Sequence, residues 1–118
     1  MTITGNTPTQ QGVRQHPRYK VTLPVELCSL ADRVPVRAQV AEIGQGGCYI
    51  ELSFTKKISS EVELTLWLGD QKVSASGIVV SSHPSFGNGI KFTNVAPESK
   101  ERLLGFLHAQ DARRLRKR

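Results

Sequence analysis

At 118 residues, with 38% apolar and 22% charged side chains and a formal net charge of +6, the chain has the size and composition of one globular domain, too short for two and too apolar for disorder. No run of about 18 apolar residues exists to cross a membrane as a helix, and the opening MTITGNTPTQQG lacks the basic start and apolar stretch of a secretory signal. No membrane span and a cytoplasmic location are therefore the expectations.

The charge is unevenly placed. The final RRLRKR holds five of the sixteen basic residues and no acid, leaving eleven basic against ten acidic residues in the rest. A nucleic-acid-binding barrel would carry a basic face with aromatics set among the cations, so no specific nucleic-acid partner is expected. The RRLRKR segment has two readings: a salt-sensitive contact for nucleic acid or acidic lipid, or a solvated helix end.

In chain order, a polar arm comes first and residues 1–12 are expected to be flexible. KVTLPVELC then alternates, with Val21, Leu23, Val25 and Leu27 on one side of an extended segment and Thr22, Pro24 and Glu26 on the other. Pro24 has no amide proton, which predicts a free edge or a bulge there. VRAQVAEI places Val36, Ala38 and Val40 inward, and CYIEL does the same with Cys48, Ile50 and Leu52. EVELTLWL carries Val62, Leu64, Leu66 and Leu68 on one face and Trp67 on the other; Gly69-Asp70-Gln71 connects it to KVSASGIVV as a hairpin. GIKF forms the sixth strand, set off by the loop SSHPSFGNG. Six short strands between turn signals predict an antiparallel barrel or sandwich.

The period then changes. Pro97 suits the first turn of a helix, and Glu98 and Glu101 complement its positive end. Leu103, Leu104, Leu107 and Phe106 make an apolar stripe that needs a partner, for which Trp67 on the outer face of its strand is a candidate. Residues 109–118 are the helix end and basic tail. Cys28 and Cys48 lie in strands without CxxC spacing and read as buried free thiols. His16, His83 and His108 are scattered, so neither a metal site nor a cofactor is expected. With no P-loop, no GxSxG and no clustered acid–base residues, catalytic residues are not expected and the chain reads as a non-enzyme.

Two motifs remain. RQHPR, Arg14 to Arg18, has the form RxxxR directly before the first strand, and EIGQGG follows the second. Taken alone, the first is a pair of solvated arginines and the second a tight turn with positive φ. Taken with the hairpin, the G-I-x-F strand and the following helix, they resemble the PilZ domain, whose members are bacterial receptors for cyclic di-GMP. The resemblance covers residues 13–108. It implies a mainly β fold, a six-stranded antiparallel β-barrel with a C-terminal α-helix.

In the family the RxxxR arginines grip guanines and phosphates, and a [DN]xSxxG motif holds a guanine edge. By position, Arg14 and Arg18 match the first motif. Glu42 stands in the Asp/Asn place, Gly44 in the Ser place and Gly47 in the closing Gly place. The chemistry is consistent: a guanidinium fork matches a phosphate or the O6 and N7 acceptors of guanine, and a carboxylate accepts from guanine N1 and N2 protons. Gly44 lacks the serine hydroxyl, a bond worth about 0.5–1.5 kcal/mol. The resemblance thus implies a single-domain cyclic di-GMP receptor that signals to a protein partner in motility, attachment or polysaccharide secretion. The alternative is an adaptor of the same fold that has lost the ligand and acts through protein contacts alone.

Overall fold

The computed structural model describes residues 16–116. The alternating segments form β1 (Arg18–Ser29), β2 (Pro35–Gly44), β3 (Gly47–Glu51), β4 (Glu61–Leu68), β5 (Gln71–His83) and β6 (Gly87–Val95), followed by α1 (Pro97–Arg116). Every neighbouring pair is antiparallel, and the strands close into a barrel in the order β1-β2-β3-β6-β5-β4. Closure gives every strand a partner on each side over part of its length. Pro24 lies just past the end of the β1–β4 ladder, which starts at Val25↔Leu66, where its missing amide proton costs no bond to β4.

The core is the inward set: Val25, Leu27, Val40, Ile43, Cys48, Ile50, Leu66, Val73, Val79 and Ile90 among others, each 0 or 1% exposed. One irregularity on β2 decides which side chain faces out. Val36, Ala38 and Val40 point inward or partly so, and unbroken alternation would send Glu42 in after them. The register instead shifts between Val40 and Glu42 against β3, and between Lys20 and Leu23 against β1. A bulge flips the phase of all that follows. Ile43 is therefore buried at 0% exposure while Glu42 stays at the surface, which spares the barrel an interior carboxylate.

The start of β1, the ends of β2, β4 and β6 and the starts of β3 and β5 share one end of the barrel, and α1 lies across it. Leu103 and Leu107 join the barrel core, with Phe106 packed at its margin. The outer face of β4 with Trp67, expected as the stripe's partner, is not where the leucines go: they close the barrel mouth, which buries them against several strands instead of one. Ser99 Oγ accepts from the Ser74 amide at 2.9 Å, and Arg102 donates to the Lys72 carbonyl at 3.0 Å, fixing the first turns of α1 to β5.

The loop expected over SSHPSFGNG shrinks to Pro84-Ser85-Phe86, since Ser81, Ser82 and His83 pair with Gly89, Asn88 and Gly87. Gly87 permits this, because a Cβ there would meet the Ile50 carbonyl and the Tyr49 ring. Asn88 is fully buried: its Nδ2 donates to the carbonyls of Lys56 and Ser81 (3.0 and 3.1 Å), and its Oδ1 accepts from the Lys56 amide at 2.7 Å. Between β4 and β5, Leu68 pairs with Gln71, so the turn is Gly69-Asp70 alone, with Gly69 at φ 70° as a type II′ hairpin requires.

Candidate functional site

Arg14 lies outside the described residues. Of the other residues expected at a binding site, Arg18, Glu42, Gly44 and Gly47 come together at the barrel end covered by α1. Arg18 opens β1 and pairs with Gly44; two residues on, Lys20 pairs with Glu42. Period-two geometry sends Arg18 and Lys20 outward with Tyr19 buried between them. Arg18 Nη1 stands 3.7 Å from Glu42 Oε1, and both side chains are partly shielded, at 23 and 31% exposure.

The glycines of EIGQGG have a different cause from the one that a turn would supply. None of Gly44, Gly46 and Gly47 has positive φ; Gln45 and Gly46 form a two-residue bend between β2 and β3. Glycine is required at 44 and 47 by close approach. A Cβ on Gly44 would lie 2.8 Å from the Pro17 carbonyl oxygen and 3.2 Å from Arg18 Cγ. A Cβ on Gly47 would collide with the Ile90 carbonyl and sit 3.3 Å from Arg18 Nη2. The Arg18 side chain is thus laid across bare backbone, its guanidinium beside Gly47. Beneath it Cys48 is fully buried; desolvation pushes its thiol up to about 12, with the nearby Arg18 charge pulling the other way. That thiol stays protonated and unreactive at neutral pH.

Sequence reasoning missed a second set of cations here. A groove of about 400 Å³ runs between β1 and the end of α1, lined by Arg18, Tyr19, Lys20, Gln110, Arg113 and Arg114. The RRLRKR segment was visible, but nothing in it says which strand it faces. The link is Tyr19, whose hydroxyl donates to Asp111 Oδ1 at 3.0 Å. Arg114 Nη2 reaches the same oxygen at 3.2 Å, and its guanidinium stacks 4.9 Å from the Tyr19 ring centroid. Desolvation and the Asp111 bond raise the Tyr19 pKa, so the phenol remains a donor. On its other side, Tyr19 lines a smaller cavity of about 220 Å³ with His16, Pro17, Gln45, Leu104 and Leu107.

Among the described residues no group of three or more His, Cys, Asp and Glu is placed to hold a metal, and no helix is long and apolar enough to cross a membrane. The arrangement suits recognition of a polar anion: forked cations beside one outward carboxylate, with Gly46 exposed in the bend next to them.

Solved structures share this architecture. MotI/DgrA, the inhibitor of motility of Bacillus subtilis, superimposes with a TM-score of 0.74 at 15% identity, over 86% of this chain and 52% of its own. The PilZ domain of YcgR from Escherichia coli, solved with c-di-GMP, gives 0.68 at 15% identity over 89% and 98%. The K. pneumonia MrkH–c-di-GMP complex gives 0.74 at 13% identity over 90% and 56%. The chain therefore spans about half the length of MotI and of MrkH, and nearly all of the YcgR domain. At such identities the likeness is one of fold. No curated protein matches the chain significantly. The PilZ domain family, however, matches residues 12–109, which takes in the whole barrel, most of α1 and both motifs, so the chain belongs to the PilZ domain family.

Proposed function

We propose that this chain is a receptor for cyclic di-GMP that works as an adaptor, with residues 13–108 as the receptor unit and a protein partner reading the surface that ligand changes. The observation that carries the reading is the Arg18 guanidinium lying beside Gly47 and 3.7 Å from Glu42, at the strand start that completes the RxxxR motif. Arg18 offers a fork to a guanine Hoogsteen edge or a phosphate, and Glu42 accepts from a guanine Watson–Crick edge. Arg14 supplies the second cation from the preceding arm. Two of the structural neighbours are c-di-GMP complexes and a third is an inhibitor of motility. A role in motility, attachment or polysaccharide secretion follows as part of the proposal.

A second reading has its own observation. The Pro17 carbonyl already fills the space a serine at position 44 would use, which favours an adaptor that binds its protein partner without ligand. Calorimetric titration with cyclic di-GMP separates the two. The receptor reading expects saturable heat that Arg14→Ala and Arg18→Ala each abolish; no heat from folded protein at millimolar ligand would overturn it in favour of the second.

A further inference from the structure

We propose that the groove between β1 and the end of α1 is an anion subsite in which Lys20 and Arg113 hold a phosphate group; on the receptor reading above, on which this part rests, that group is a phosphodiester of cyclic di-GMP. Two of the groove's four cations already face a carboxylate. Arg18 faces Glu42, and Arg114 faces Asp111. Lys20 and Arg113 line the same groove without an acidic partner among the described residues. Lys20 and Arg113 thus offer two positive charges in one groove to an anion.

Position is fixed from both sides. Lys20 follows Arg18 by two residues on one strand face, about 7 Å along the strand. Residues 110, 113 and 114 share one face of α1, being three and four apart. The Tyr19–Asp111–Arg114 contacts hold that face toward β1. A ligand whose guanine lies against Arg18 and Glu42 would have its phosphodiester within reach of Lys20, and the helix end would close on it. The carbonyls at the C-terminal end of α1 carry about half a negative charge, which opposes an anion; the two full charges of Lys20 and Arg113 outweigh it. An ammonium and a guanidinium together supply the point charge and the fork that a phosphate accepts.

The test uses the full chain, wild type beside Arg18→Ala and the double variant Lys20→Gln/Arg113→Gln, all checked for unchanged thermal unfolding since both substituted side chains are at the surface. Cyclic di-GMP and inorganic pyrophosphate, which has no guanine, are titrated at two salt concentrations. The double variant is expected to weaken cyclic di-GMP by about tenfold and to flatten the salt dependence. It is also expected to abolish pyrophosphate binding, which Arg18→Ala retains. Equal affinity of wild type and double variant for both probes overturns the subsite and leaves the receptor reading standing. Absence of cyclic di-GMP binding by the wild type, with pyrophosphate still bound through Lys20 and Arg113, upholds the subsite and overturns the receptor reading.

Discussion

At the end of the barrel where β1 begins, α1 lays Leu103 and Leu107 into the core and leaves Arg18, Lys20 and Arg113 near the surface. At the opposite end, the loops bury the Asn88 amide and leave Phe54 and Phe86 exposed, at 90 and 73%. Among the described residues, the non-glycine residues with positive φ, Arg33, Ser59 and Ser85, all sit at this second end. Closure by the leucines is apolar and non-directional, with hydrogen bonds at Ser99, Arg102 and Asp111 fixing the helix only along its flanks. Closure by Asn88 is directional, with three short hydrogen bonds that fix one loop position. The contrast is between a mouth sealed mainly by apolar packing, at the end that carries the cations, and one sealed by a buried amide at the other.

Leu103→Ala strikes the first kind of closure. Removing a side chain that is 1% exposed is expected to cost about 2–5 kcal/mol, read as a lowered midpoint in urea. Asn88→Ala strikes the second: it leaves the Lys56 amide and carbonyl without this partner, for an expected loss of about 1–3 kcal/mol. Hydrogen exchange then sharpens the contrast, because Asn88→Ala should free the amides of the 52–60 loop and spare those of α1.

Tyr19→Phe should have a smaller effect. It deletes the bond to Asp111 but keeps the ring under Arg114, costing about 0.5–1.5 kcal/mol. Faster amide exchange confined to the last turns of α1 is the expected signature. The thiols give the mildest probe. In native protein at pH 8 an alkylating reagent should label Cys28, which is partly exposed, and leave Cys48 untouched until unfolding. Because the Cys48 thiol is raised to about 12 in the folded state, the unfolded chain loses that proton first as pH climbs past the ordinary value of about 8.5. Stability should therefore fall with rising pH between those values.

The strands and the helix were legible because alternation and helical periodicity record which side chains are buried. Pairing beyond Val80 was not: Ser81, Ser82, Gly87 and Asn88 have the composition of a loop, and only closure of the barrel gives them partners. At the candidate site, RxxxR and EIGQGG pointed to the barrel end where Arg18, Glu42, Gly44 and Gly47 meet. They did not reveal why Gly44 and Gly47 are glycine, which depends on Pro17 and Ile90 carbonyls distant in sequence from at least one of them. Nor did they reveal Lys20 and Arg113 as neighbours, since that needs the Tyr19–Asp111 bond across 92 positions of chain. Alternation alone would also have turned Glu42 inward; a bulge, which leaves no signature in composition, turns it out.

The receptor reading proposed above places ligand chemistry at the barrel end under α1. An amide NMR titration of the full chain with cyclic di-GMP tests it most directly. Shifts are predicted at Arg18–Lys20, at Glu42–Cys48 and in the last turns of α1, with Phe54, Ile58 and Phe86 unmoved. Saturable shifts centred on Phe54 and Phe86, or no shifts at all, would contradict it.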